Sequence, residues 1–345
     1  MASIICGSLA FDTIMNFEGR FAQQILPEQL HILNVSFLVP SLRRDFGGCA
    51  GNIAYSLKML GGDPLPMATI GMDGDGYRKR LADLGISGEF VRTIDDAYTA
   101  QAMIITDMDN NQINGFHPGA TEQAWQTKIE PRADIALGII APDGRDAMVQ
   151  HAEQFAKAGI PFVFDPGQQL PRFDGAELRD FVDKASWVAV NDYEGKMLSD
   201  RTGWDTAEVS RHVKGLIVTT GAQGCDVWVD GSKTHVPPIK ARTVVDPTGC
   251  GDAFRGALLY GLEHGWSLER CAQLGNHLGS LKIAERGPQN YSIDTAAIGL
   301  GAVLRAGNGK KKPDTVRHRA CNEPKFVQGL LAVGNGQAAC GFNVV

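Results

Sequence analysis

The densest chemistry in the 345-residue chain lies in Asp246-Pro247-Thr248-Gly249-Cys250-Gly251-Asp252-Ala253-Phe254-Arg255-Gly256. Gly249 and Gly251 allow a tight turn free of Cβ atoms, and the apolar spacing over Ala253–His264 predicts a helix that starts near Asp252. Backbone N–H groups at such a turn point outward and meet the positive end of the helix dipole, which makes an anion hole. A carboxylate beside an anion hole is out of place unless it serves as a base. Asp252 would then take a proton from a hydroxyl while the turn through Gly249, Cys250 and Gly251 holds a transferring phosphoryl group. The alternative is that Asp252 only caps the helix, a common role for Asp. The segment is not a Walker loop, because no Gly-Lys-Ser/Thr follows, and it lacks the spacing and early position of a dinucleotide fingerprint.

Other residues have suitable types and places. Gly47-Gly48 precede a helix and allow close backbone approach to a ligand, or a tight strand–helix connection. Gln168 and Gln169 follow a strand, and an amide both donates and accepts hydrogen bonds. Phe116 presents an aromatic face to a flat base, or an apolar surface to any ligand.

These residues need a frame. Short apolar runs at Ser3–Leu9, Met67–Gly71, 135–141, Pro161–Phe164, Trp187–Val190 and Leu216–Thr219 read as strands. Helical spacing at Gly51–Leu60, Gly76–Leu84, Ala147–Ala158, Ala253–His264 and Leu268–Ala284 alternates with them. The alternation predicts an α/β fold: a doubly wound, mostly parallel sheet with helices on both faces. Leu33–Phe46 and Thr99–Phe116 break the rhythm with β-type alternation and a polar turn at 109–111. They predict a small β-sheet lid over the ligand edge of the main sheet. The expected division is a large α/β domain over 1–15, 47–97 and 118–300, a lid over 16–46 and 98–117, and a tail over 301–345.

Composition excludes several function classes. Lys and Arg number 33 against 39 Asp and Glu, a net charge of −6, so no nucleic-acid or anionic-membrane partner is expected. The tail alone carries seven basic and two acidic residues and shows no sustained periodicity. No apolar run approaches the ~20 residues of a membrane span, and the start lacks a signal-peptide pattern. The seven cysteines are scattered without a C-x-x-C pair, which reads as reduced thiols in a cytoplasmic protein.

The segment 246–252 resembles the C-terminal signature of the ribokinase-like (PfkB-type) sugar and nucleoside kinases, in the Pro-Thr variant of the adenosine kinases. The N-terminal signature is similar to Phe46-Gly47-Gly48-Cys49-Ala50-Gly51-Asn52 followed by Gly71-Met72-Asp73-Gly74-Asp75-Gly76. The resemblance covers residues 1–298. It implies that Asp252 is the base, that Asp12 binds two sugar hydroxyls and that Asn52 directs an amide at a sugar hydroxyl. Asn191 and Glu194 match a motif that organises Mg²⁺ through water; their spacing is also that of a capping box. Thr219, Gly221 and Gly224 match a loop along the phosphates and ribose of ATP, with Asn276 beside the adenine and Ser280 one turn on. Gln168 and Gln169 resemble the paired glutamines that contact the nucleoside in bacterial adenosine kinases, and Ser8 would face the purine. Where those kinases often carry a second lid aromatic, this chain has Ala102. A K⁺ ion is expected between Asp246 and Thr248 on one side and residues 285–290 on the other, and dimerisation through lid strands is a further implication.

The expected activity is ATP- and Mg²⁺-dependent phosphorylation of the 5′-hydroxyl of a nucleoside, adenosine first, in purine salvage. The alternatives are a sugar kinase for ribose or fructose, an inosine or guanosine kinase, and a non-catalytic nucleoside-binding protein on the same fold.

Overall fold

The computed structural model describes residues 1–295, Asn110 excepted. The tail expected over 301–345 lies outside the described residues.

Two sheets organise the chain. Strands are β1 (Ala2–Cys6), β2 (Ala10–Asn16), β3 (Ser41–Gly47), β4 (Pro64–Gly71), β5 (Val91–Ile94), β6 (Ala100–Thr106), β7 (Gln112–His117), β8 (Ile135–Ile140), β9 (Phe162–Phe164), β10 (Trp187–Asn191), β11 (Leu216–Thr219), β12 (Cys225–Val229) and β13 (Ser232–Val236). Nine of them form one sheet in the order β13-β12-β11-β10-β9-β8-β1-β4-β5. All pairs from β11 to β5 are parallel, and only β12 and β13 run antiparallel at one edge. Parallel strands covered on both faces must be apolar on both, and β1 and β4 are buried along their whole length. On one side, Phe155, Phe162, Phe164, Phe173 and Phe181 pack between sheet and helices, with the Phe164 and Phe181 rings stacked at 4.6 Å. The expected doubly wound layer is therefore present. The sequence reading missed β5 and the β12–β13 hairpin, whose Asp230-Gly231 turn has positive φ at both residues, the geometry favoured for two-residue hairpins.

The small sheet has the order β3-β2-β6-β7. The 99–116 segment forms the expected hairpin of β6 and β7. Leu33–Phe46 is strand only from Ser41, after a 3₁₀ turn at Pro27–Ile32. β2 joins this sheet, so the boundary expected after residue 15 falls inside a strand. Among the described residues no helix is long and apolar enough to cross a membrane, and the five described cysteines are free thiols.

Because β1, β8, β9, β10 and β11 are parallel, their C-terminal ends open on one edge. The residues at or just past those ends include Ser8, Asp165, Asn191 and Thr219, and this is the edge where open α/β sheets bind ligands.

Candidate active site

The helix Cys250–Glu263 begins two residues earlier than its apolar spacing predicts. Its N-cap is Gly249, in the left-handed region at φ 80°, where a Cβ would stand 2.6 Å from Cβ of Pro288. Asp252 is thus the third helical residue rather than the cap. The peptide N–H groups of Gly251 and Asp252 make no hydrogen bond among the described residues, as the first turn of a helix leaves them. They are the N–H groups on which the expected anion hole would rest. The Asp252 carboxylate accepts from Asn52 Nδ2 at 2.8 Å. Burial pushes its pKa up to about 6, against the lowering effect of the Asn52 bond.

Asn52 is itself held. Its Oδ1 accepts from Gln289 Nε2 at 3.1 Å, the same Nε2 donates to the Tyr77 hydroxyl at 2.9 Å, and Tyr77 donates to the Gly47 carbonyl at 2.6 Å. A buried chain of polar groups thus runs from Asp252 to the glycine pair. The Asn52 amide keeps one N–H without a partner among the described residues; its other bonds go to protein. Tyr77 was not singled out in the sequence, and Gln289 was named only within the 285–290 segment; folding brings the two together.

Gly47 and Gly48 leave space for protein groups. A Cβ at Gly47 would collide with the Asp12 carboxylate, and Gly48, at φ 83°, lies against the backbone of Ser8–Ala10. The glycine pair therefore lets β3 and its following helix close over Asp12. Burial pushes the Asp12 carboxyl up to about 6, and the charges of Asp45 and Asp252 push the same way. Register places Asp45, Asp12, Ala102 and Phe116 directly opposite one another across the four strands. Residues so paired share one face of the sheet, so Phe116 stands on the Asp12 face about 10 Å away, at two strand spacings. Its ring is 57% exposed.

Ser8 Oγ accepts from the Cys49 N–H at 3.2 Å. Burial keeps the Cys49 thiol neutral by raising its pKa well above the usual range, and Gln168 and Ser8 lie beside it. Gln169 accepts from Arg172 Nη1 at 3.4 Å, away from that cluster.

Behind the anion hole lies a residue the sequence reading did not use. Arg255 is buried and grips Asp165 with two bonds of 3.1 Å, Nε to Oδ2 and Nη2 to Oδ1, while Nη2 also donates to the Ala189 carbonyl. Its side chain is 5% exposed. Burial alone would lower the Arg255 pKa, but Asp165 and Glu194 outweigh it and hold the guanidinium charged. A lone arginine inside the apolar stretch 253–261 was the available signal.

At the C-terminal end of β10, Asn191 and Glu194 form a complete capping box, with bonds of 2.7 and 2.8 Å. Burial and the Asp165 charge raise the Glu194 pKa, with Arg255 opposing. Among the described residues no three metal-ligating side chains gather. Glu194 alone would suit a Mg²⁺ ion that retains several waters, should one bind there. Thr219 donates to the Val190 carbonyl at 3.4 Å, and Gly221 and Gly224 bound a short 3₁₀ turn at the exposed end of β11. Asn276 donates to the carbonyls of Val236 and Pro237, and Ser280 to that of His277. Both are half-buried on the helix Leu268–Lys282. Asp246 accepts from the N–H groups of Thr248 and Gly287, both at 2.9 Å. Burial raises its pKa, but these bonds outweigh that and hold it below the usual carboxylate range.

Residues 19–296 match the pfkB family carbohydrate kinase profile. A nucleoside kinase of Methanocaldococcus jannaschii is 30% identical over 292 residues, covering 84% of this chain and 93% of that one. The solved structure of a Burkholderia thailandensis nucleoside kinase in complex with inosine is 50% identical with a TM-score of 0.78, covering 88% of this chain and 98% of that one. An adenosine kinase from Sinorhizobium meliloti, 21% identical over 86% of this chain and 98% of its own, shares the fold with a TM-score of 0.69. The ribokinase-like fold, the two glycine turns and this match over most of the chain agree: the protein belongs to the pfkB family of carbohydrate kinases.

Proposed function

We propose that the protein transfers the γ-phosphoryl group of ATP to the 5′-hydroxyl of a purine nucleoside, with adenosine as a substrate and AMP and ADP as products. The observation that carries the reading is the placement of Asp252. Its carboxylate stands on the first turn of a helix whose Gly251 and Asp252 N–H groups are unbonded, so one short segment offers a base and an anion hole. Asp252 takes the hydroxyl proton as the oxygen attacks phosphorus in line. The free N–H groups receive the charge of the transferring group. Asp12 accepts bonds from the vicinal diol of the ribose. Mg²⁺, when bound with ATP near Glu194, supplies charge neutralisation to the phosphate oxygens. The strands β2, β3, β6 and β7 act as a lid that keeps water from replacing the acceptor, and their exposed edges offer a route to dimerisation.

The purine assignment rests on Gln168 beside Cys49 and on Phe116 in the Asp12 row. An amide serves a 6-amino or a 6-oxo purine equally well. Inosine is therefore a second reading, favoured by its presence in the 50% identical Burkholderia thailandensis structure. Coupled ADP release across adenosine, inosine, guanosine, ribose and fructose tests the proposal. Nucleosides should exceed both sugars in kcat/KM, and the opposite order overturns it. Absence of ADP release with every acceptor would instead favour a non-catalytic binding protein.

A further inference from the structure

The helix Leu268–Lys282 ends on an ammonium group shut away from water: Lys282 is 0% exposed. A buried lysine is rare unless its charge is satisfied. Among the described residues Lys282 forms no ion pair within 4 Å; its Nζ donates to two backbone carbonyls, Asp246 at 2.8 Å and Glu285 at 3.0 Å. Burial pulls its pKa down and the nearby Asp246 charge opposes that fall. The Asp246 carboxylate is turned elsewhere, to Gly287, Thr248 and, at 3.5 Å, Arg43.

The two carbonyls belong to the two segments that shape the anion hole. Asp246 opens the turn that reaches Gly249. Glu285 opens the loop that lays Pro288 against Gly249 and Gln289 against Asn52. The ammonium thus ties those segments together from behind. A desolvated monovalent cation held by backbone carbonyls is also how a protein would hold K⁺, which is comparable in size to an ammonium group. The K⁺ ion expected between Asp246 and residues 285–290 does not fit here, because Lys282 already occupies carbonyls on both sides. We propose that Lys282 is the protein's own monovalent cation, a positioning residue that makes the anion hole independent of added alkali metal.

The test compares the whole chain in potassium chloride and in tetramethylammonium chloride at equal ionic strength. For the wild type, both the thermal midpoint and the ADP-release rate should be the same in the two salts. A midpoint or a rate raised by potassium overturns the proposal. Lys282→Met should lose turnover by about a hundredfold in tetramethylammonium, as when an oxyanion-hole donor is displaced. It should regain both midpoint and rate in potassium. A folded Lys282→Met protein that gains no potassium response also overturns the proposal. If this variant fails to fold, the wild-type comparison still decides. The rate readout rests on the proposed kinase activity, whereas the midpoint readout does not, so failure of one reading is distinguishable from failure of the other.

Discussion

Asn52 and Asp252, 200 residues apart in sequence, meet in a 2.8 Å hydrogen bond from Nδ2 to Oδ2. The bond joins the helix after the glycine pair to the helix after the anion hole. It has two consequences. It fixes the orientation of the carboxylate, and it favours the ionised form of a group that burial pushes toward the neutral acid. A base needs both.

Asp252→Asn should keep nucleoside affinity and lose about 10²–10⁴ in turnover, the range of a general base in proton transfer. Calorimetric titration with adenosine and single-turnover ADP release check the two halves separately. Near-normal turnover removes Asp252 from the role of base.

The acid limb of the rate profile follows from the same groups. Asp252 and Asp12 each titrate at about 6, and both act as carboxylates in the proposed reaction. The kcat/KM should therefore fall as pH drops through about 6, more steeply than for one group. Asn52→Ala removes a bond that favours the ionised base and should move the limb to higher pH. An unmoved limb in that variant refutes the link.

Stability has the opposite sign. For Asp12 the folded pKa, about 6, exceeds the ordinary value of 3.8. Its contribution to stability is fully present below the ordinary value and is lost as pH rises through about 6. Asp12→Asn should thus stabilise the ligand-free protein by up to about 3 kcal/mol above pH ~7, and the gain should vanish toward pH ~4. Denaturant titrations across that range measure it, and a gain that grows toward acid contradicts the assignment.

Arg255→Met leaves Asp165 buried without its guanidinium and should cost about 3–5 kcal/mol of folding stability. Adding Asp165→Leu removes the stranded carboxyl and should recover most of that loss. Urea midpoints of the two variants decide. Equal midpoints mean that the pair contributes through something other than its charges.

The contrast between what sequence showed and what it hid is a matter of range. The glycine turn before Asp252 and the glycine pair were legible because backbone chemistry is local: glycines and an acid in seven residues announce a tight turn beside a helix. The alternation of apolar runs likewise gave the parallel sheet. Arg255, Gln289 and Lys282 were opaque because their roles depend on distant partners. Arg255 meets Asp165 at a separation of 90 residues, and Gln289 meets Asn52 at 237. The β12–β13 hairpin was different. Its Asp230-Gly231 turn was a local signal that went unread.

Phe116 tests substrate class. It shares a row with Asp12, and between them stands Ala102, whose small side chain leaves room for a flat ring over the sheet. A nucleoside whose ribose is held at Asp12 would then lay its base toward Phe116. Stacking of a base on an aromatic side chain is worth about 1–3 kcal/mol. Phe116→Ala should therefore raise the KM for adenosine and inosine about 10–100-fold while leaving any residual activity on ribose unchanged, because ribose has no base to stack. A variant that loses ribose and nucleoside activity in equal measure would show that Phe116 serves lid packing alone.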